Sequence, residues 1–541
     1  MMFDPVSVHV SSRCEAFLDS FRREGCRMLE MSCETHDAFA AGSQFLTHTT
    51  GRILAALNPT STPINTAGYS KLLQVVEQTQ KDSWELYQGL YKFNEKSREQ
   101  LEKFGEAFDS LRAKLKAESA DASSSASSSA SASASVELNP LVSRMNESKT
   151  AAIADLTKTL VAQGQSIVSL SVGEVLSVKT PPQVIQAALE AMQAGHTTYT
   201  ATNGLLALRQ AICAKLARDN QITYTPDQVV VSNGAKQSIF QLLQALVTPA
   251  HNEVIVIAPF WVSYPDMVTL VGGSPRIVTT TSAEGWVLSA AKLEAAITPR
   301  TKVLILCSPS NPTGVVYTKQ QLMALVAVLE RHPHVHVLSD EIYDSLLFDG
   351  AVHYSFASLV SPSLFKRTHT INGFSKSFAM TGFRVGYLAS GDVEVARAAN
   401  KIQGQITSCA SSVSQHAAIA ALQLGPEFRT NLVSTLAVTR GLLLQALRSI
   451  PRLSFQEPQG AFYVLLDVSA YFGSEGRDGR RIKNSDDLCM YLLDQYKVAL
   501  VPGSAFGAPD CLRISYASSD EIVVAGAKAI KSALEELKLK A

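Results

Sequence analysis

Asn372–Tyr387 reads NGFSKSFAMTGFRVGY. Its one lysine, Lys376, stands in a run of small residues, and Arg384 follows it. A lysine among small and apolar neighbours loses its proton more readily than a solvated one, and the free amine attacks aldehydes. Arg384 adds a permanent cation suited to gripping a phosphate. Taken alone, the stretch also fits a surface lysine and a surface arginine in a glycine-punctuated loop. The words around it decide between the two.

Those words alternate strands with helices. QVVVSN (Gln228–Asn233), EVIVIAP, KVLILCSP, VHVLSDE and THTINGFS are short β-branched runs, separated by helical stretches such as SIFQLLQALV and KQQLMALVAVLERH. The alternation predicts a mostly parallel sheet covered by helices. Beyond Thr430, GAFYVLLDVSAYF and KVALVPGSAFG predict a second, smaller α/β domain. The expected division is a large domain over about 186–430 and a small one over about 138–185 and 431–541.

In parallel sheets, ligands gather at the carboxyl ends of strands. VHVLS ends in Asp340-Glu-Ile-Tyr343, KVLILC runs into SPSNPTG with Asn311, and QVVVSN runs into Gly234-Ala235-Lys236 at a helix start. A carboxylate at such an end pairs with a protonated ring nitrogen, and a phenol beside it hydrogen-bonds a ring oxygen. Asn311 is a second partner for that oxygen. Small residues at a helix N-terminus let backbone N–H groups approach a phosphate. Trp261, in PFWVSYP, suits stacking on a flat ring, and Arg513, in CLRISYA, suits forking onto a carboxylate. The alternatives are helix-start chemistry for DEIY, a plain turn for NPTG and a core role for Trp261.

The whole chain sets bounds. At 541 residues it is long enough for two to four domains. Hydrophobic residues make up 46% and charged residues 18%, the balance of an ordinary globular protein. A net charge of +0 offers nothing to nucleic acid or an anionic membrane. The eight cysteines are scattered without metal spacing, so no metal site and a reducing compartment are expected. No apolar run approaches the roughly 18 residues of a membrane helix. MMFDPVSVHVSS shows neither signal core nor clear transit segment, which leaves cytoplasm or plastid.

The first 118 residues read as an all-α segment. THDAFAAGSQFLTHTTGRILAAL is one helical stretch, and LLQVVEQTQKDSWELYQGLYKFNEKSREQLEKFGEAFDSLRAKLKA carries apolar residues at three- and four-residue spacing. His36 and His48 are too far apart for a helical metal pair, so both read as structural or surface histidines. Residues 119–137, centred on DASSSASSSASASAS, read as a flexible linker, because alternating serine and alanine cannot offset their ordering entropy.

Two resemblances follow from the words. ETHDAFAAGSQFLTHTTGR and TPINTAGYSKLLQVVEQTQKDSWELYQGLY resemble the C-terminal helical dimerisation domain of the plant-like prephenate/arogenate dehydrogenases. No G-x-G-x-x-G loop follows a strand ahead of them, so the segment is expected to lack redox activity of its own. The order TYTATNG, SNGAKQ, APFWVSYP, SPSNPTG, SDEIY, NGFSK, MTGFRVGY, PQGAFY, LRISYA resembles a class I aminotransferase of fold type I. It is similar to subgroup 1β, the bacterial-type aspartate aminotransferases that include plant prephenate aminotransferases.

That resemblance implies pyridoxal 5'-phosphate as cofactor and roles for named residues. Lys376 bonds the cofactor aldehyde, Asp340 pairs with the pyridine nitrogen, and Asn311 and Tyr343 bind O3′. Gly234, Ala235, the Lys236 backbone, Ser375 and Arg384 hold the phosphate, and Trp261 stacks on the ring. Arg513 and Gly173 hold the substrate α-carboxylate. Tyr199 reaches the phosphate of a neighbouring subunit, which implies a homodimer with shared sites. The Lys236 ammonium and Thr150, in the word SKT, go with accepting prephenate as well as oxaloacetate; a helix cap is the alternative for Thr150. The implied reactions exchange aspartate and 2-oxoglutarate, and convert prephenate to arogenate with glutamate or aspartate as donor. A plain aspartate aminotransferase, a β-lyase and a non-catalytic interaction protein are the alternatives. Two departures stand out: VLSVKTP after Gly173-Glu174 is one residue longer than the family's Pro-Asp-Phe-Asp-Thr-Pro-like run, and Phe383 stands where tryptophan is common.

Overall fold

The computed structural model describes residues 149–538 without a break. Ahead of them it describes 2–3, 19, 22–24, 29–30, 32–56, 67–120, 139–143 and 145. The chain divides into two compact units, Met1–Ser135 and Val136–Ala541. Nearly all of the Ser/Ala linker lies outside the described residues.

The first unit is built on helices. Cys33–Ala40 continues through a π turn, Ala41–Phe45, into Leu46–Ala56, followed by Ala67–Lys81, Trp84–Lys92 and Glu95–Ala120. The long periodic stretch expected from Leu72 onward is broken at Ser83 and again near Asn94. Ser83 accepts from Leu86 N at 3.2 Å, a side-chain N-cap that starts a new helix. Phe45 is buried and stacks on Tyr87 at 5.6 Å. The all-α expectation needs one correction: Met2–Phe3 and Leu29–Glu30 pair as two short parallel strands. Pairing between such distant segments has no local periodic signal.

The second unit carries a seven-stranded sheet: β1 Val229–Ser232, β2 Glu253–Ala258, β3 Ser274–Thr279, β4 Thr301–Cys307, β5 His336–Asp340, β6 Thr368–Gly373 and β7 Gly386–Ser390. The order across it is β1-β7-β6-β5-β4-β2-β3. All neighbours are parallel except at β7, which runs antiparallel to both β1 and β6. β1, β6 and β7 are buried along their whole length, as sheets covered on both faces require. Separate apolar clusters pack against the sheet, one including Ile255 and Leu304, another Val254 and Ile305. Consecutive residues of one strand thus feed opposite faces.

A smaller antiparallel sheet completes the unit: β8 Ser454–Phe455, β9 Tyr463–Asp467, β10 Val501–Pro502 and β11 Cys511–Ser515, ordered β8-β9-β11-β10. Val168–Ser169 pairs in parallel with Val498–Ala499, joining a segment from before the large sheet to the C-terminal part. Residue 431, the expected boundary, falls inside the continuous helix Pro426–Arg448. Phe428 on that helix packs against the apolar clusters of both parts. Among the described residues no helix is long and apolar enough to cross a membrane.

One close approach sets the geometry at the sheet's edge. A Cβ at Gly386, the first residue of β7, would lie 2.3 Å from Ala235 N at the start of helix Ala235–Leu246. Gly386→Ala must therefore push β7 away from that helix, at an expected cost of about 1–3 kcal/mol in denaturant unfolding. Unfolding at the wild-type midpoint would show that the approach is not tight.

Candidate active site

A cavity of about 440 Å³ opens at the carboxyl ends of the strands. β5 delivers Asp340 as its last residue, the turn after β4 delivers Asn311, and the turn after β6 delivers Ser375 and Lys376. Ala235 and Lys236 enter at the helix start after β1. Thr150 lines the wall from helix Lys149–Ala162, and Gly173 from the segment after Val168–Ser169. Trp261, Tyr343 and Arg384 also line the wall, and Arg513 comes from β11. Gly234 touches the site through Arg384, since a Cβ there would meet Nη2 at 2.5 Å. Tyr199 lies elsewhere, 87% exposed.

Burial governs the charges. It pulls the Lys376 ammonium down to about 8, against the pull of the Glu174 carboxylate in the other direction. Nζ donates to the Gly173 carbonyl. Burial pushes Asp340 up to about 6, while a Tyr264 hydroxyl at 2.6 Å and Ile342 N at 3.3 Å favour its ionised form. Lys236 is also lowered, first by burial and then by Arg384, and its Nζ turns into the cavity 4.8 Å over the Trp261 ring.

Arg513 is held on several sides. Nη2 donates to Ser171 O at 2.6 Å and Nη1 to Asn311 Oδ1 at 3.3 Å. The guanidinium lies 4.6 Å from the Tyr463 ring centre and 4.9 Å from that of Phe506. Its Nε is buried and has no hydrogen-bond partner. Tyr343 shares a hydrogen bond with Tyr463 at 3.1 Å, and burial keeps its phenol well above the usual range.

The residues present suit a phosphorylated pyridine. Helix Ala235–Leu246 has no side-chain cap at Gly234, so no capping side chain competes with a phosphate for its first N–H groups. Gly234 has φ +84°, and a side chain there would displace the guanidinium. Asp340 supplies a buried carboxylate and Trp261 a flat face.

Sequence reasoning missed Tyr264, Tyr463, Glu174, Thr381 and Ser171 as members of this wall. Tyr264 was legible in part, three residues after Trp261 in the same word, and Tyr463 ends PQGAFY. Glu174 accepts from Thr381 Oγ1 at 2.8 Å, a contact across 207 positions with no local sign.

The fold and this wall define an aminotransferase, and the chain belongs to the class I and II aminotransferases, whose family model matches residues 165–530. A second model, the TYRAAT1-like C-terminal domain, matches residues 53–127, across most of the helical segment. The chain is 45% identical to a bifunctional aspartate aminotransferase and glutamate/aspartate-prephenate aminotransferase of Petunia hybrida, covering 74% of this chain and 84% of that protein. It is 42% identical to an aspartate/prephenate aminotransferase of Cereibacter sphaeroides, over 71% of this chain and 96% of the other. The crystal structure of the aspartate aminotransferase from Rhizobium meliloti matches at TM-score 0.72 and 38% identity, over 75% of this chain and all of that one.

The raised carboxyl of Asp340 has a consequence for stability. Its folded value, about 6, lies above the usual 3.8. The stability it contributes is therefore full below that ordinary value and is lost as pH rises through 6. Cofactor-free Asp340→Asn protein should be more stable than cofactor-free wild type near neutral pH, by up to about 3 kcal/mol. The gap should close toward pH 4. Urea unfolding at the two pH values reads it directly.

Proposed function

We propose that the cavity binds pyridoxal 5'-phosphate and transaminates dicarboxylic substrates, exchanging aspartate with 2-oxoglutarate and converting prephenate to arogenate with glutamate or aspartate as donor. The observation that carries this is the charge of the wall. Among the described residues, Lys236, Lys376, Arg384 and Arg513 line one cavity with Glu174 and Asp340 as the acidic residues against them. Lys376 and Arg384 are committed to the cofactor's aldehyde and phosphate, which leaves Arg513 and Lys236 for two carboxylates. The names of the Petunia and Cereibacter relatives support the same substrates.

Ala235, the Lys236 backbone, Ser375 and Arg384 would hold the phosphate, Asp340 the ring nitrogen, Asn311 and Tyr343 the ring oxygen, and Trp261 the ring face. When bound, the cofactor supplies an electron sink for the charge left as a proton leaves the substrate α-carbon. Arg513 orients the α-carboxylate by a bidentate fork, with its Nε in reserve, and the Gly173 backbone borders it. Lys376 Nζ, lowered toward neutral pH by burial, takes the α-proton and returns it on the other side of the transfer. Asp340, buried and hydrogen-bonded by Tyr264, holds a negative charge against the ring nitrogen. Tyr343 keeps its proton and can donate a hydrogen bond to the ring oxygen, because burial holds its phenol far from ionisation.

The exposed Tyr199 fits a residue that completes a second subunit's site, so the active form is proposed to be a homodimer. Every proposed site residue falls in the second unit. A protein starting at Val136 should accordingly keep its transaminase activity, and loss of activity on that truncation would give the first unit a direct role.

Incubation with prephenate or oxaloacetate as amino acceptor tests the substrate reading. Arogenate should form from prephenate; none, with normal aspartate turnover, leaves a plain aspartate aminotransferase. Product analysis separates transfer from β-elimination. Lys376→Ala should cost at least about 10²–10⁴-fold in turnover, the worth of a positioned proton-transfer group. Lys236→Ala should lower kcat/KM for both dicarboxylic acceptors by about 1.5–3 kcal/mol. Thr150→Val should affect prephenate more than oxaloacetate.

A further inference from the structure

The chain leaves β5 through Asp340-Glu341-Ile342-Tyr343-Asp344. Asp340 and Tyr343 line the cavity, while Glu341 and Asp344, each next in sequence to one of them, do not. Both of these carboxylates are nonetheless buried, at 1% and 8% exposure. Glu341 Oε1 accepts from Ser339 Oγ at 2.9 Å, Ser355 Oγ at 2.7 Å and Phe356 N at 3.2 Å. Its Oε2 faces His353 Nε2 at 3.2 Å. Asp344 pairs with the buried Lys215, whose ammonium also donates to Asn220 Oδ1 at 2.7 Å.

Asp344 also accepts from Asn372 Nδ2 at 2.9 Å, and Asn372 Oδ1 accepts from Gly373 N at 2.7 Å. That bond ties the turn after β5 to the end of β6, just ahead of Lys376. Buried ion pairs give up several kcal/mol of solvation per ion, and well-packed apolar residues would often serve stability as well. Nothing in the proposed chemistry touches these groups. Their directional bonds do what apolar packing cannot, which is to fix the rotation of two neighbouring segments.

We propose that Glu341 and Asp344 are positioning residues: the Glu341 carboxylate, facing His353, anchors the start of the Asp340–Tyr343 turn to the 353–356 segment, Asp344, paired with Lys215, ties its end to β6 through Asn372, and together they set Asp340, Tyr343 and Lys376 relative to one another. This rests on the cofactor reading above. Each cavity residue of the turn thus has an acidic neighbour anchored away from the cavity. Of the two side chains, it is that of Asp344 that reaches β6, through Asn372, while Glu341 N donates to Ile371 O at 2.9 Å.

The test uses full-length holoenzyme and the variants Glu341→Gln, Asp344→Asn and Asp344→Glu. Four quantities are read: the visible absorbance of bound cofactor and its pH midpoint, cofactor retained on dialysis, kcat with KM, and melting temperature. Asp344→Asn should lose about 10- to 100-fold in kcat, the scale of an ångström-sized misplacement, with KM little changed. Its absorbance midpoint should move and its cofactor should leave faster, with partial recovery in Asp344→Glu. A lowered melting temperature with wild-type kcat, midpoint and retention overturns the positioning role. If Asp344→Asn fails to fold, the double variant Lys215→Met, Asp344→Asn, which leaves no unpaired buried charge, carries the same reading. Wild-type kcat in that double variant likewise overturns it. Wild-type protein that shows no visible absorbance on loading overturns the cofactor reading and this role with it; normal wild-type absorbance with unchanged variants overturns this role alone.

Discussion

Everything at this site depends on taking two opposite charges out of water in one cavity. Asp340 is buried and Lys376 partly so, and desolvation pulls their protonation equilibria toward neutral pH from opposite sides, to about 6 and about 8. An amine near 8 is basic enough to take a proton and weak enough to give it back. A carboxylate that stays ionised while buried needs partners, and Tyr264 and the Ile342 amide supply them. Neither group could be held this way on a flexible surface loop.

The sheet supplies the rigidity. Asp340 ends a buried strand flanked on both sides by parallel neighbours, and its register partners are Cys307 and Ile371. Lys376 follows one of those neighbours directly, and Asn311 follows the other after a short turn. β7, reversed between β1 and β6, brings Gly386 flush against the start of the helix that carries Ala235 and Lys236. The small sheet then adds Arg513, whose contacts reach back to Asn311 and Ser171. Three parts of the chain, distant in sequence, thus converge on one cavity of modest volume.

The first unit stands apart from this chemistry. Its helices are closed by serine caps and by aromatic contacts such as Phe45 on Tyr87, and its family match is to a different domain type. Among the described residues no three or more His, Cys, Asp and Glu side chains cluster in a way that could hold a metal ion. The chain joins an aminotransferase to a helical unit with its own sequence signature.

The sequence by itself determined which residues are candidates for the chemistry. Lys376, Asp340, Asn311, Trp261 and Arg513 were legible because each sits in a short word at a strand end or strand centre, and strand ends are where such sheets bind ligands. The alternation of strands and helices was legible because its period is local. Only the tertiary structure decided what these residues meet. Strand order, the reversal of β7, the hydroxyl of Tyr264 on Asp340 and the turn of Lys236 over Trp261 are long-range, and residue spacing does not record them. The same holds for Glu341 and Asp344: in sequence they look like two more acidic residues, and only folding shows that one meets His353 and the other Lys215. Packing brings Tyr264 to Asp340 across 76 positions and Lys215 to Asp344 across 129, and that closeness is a property of the fold alone.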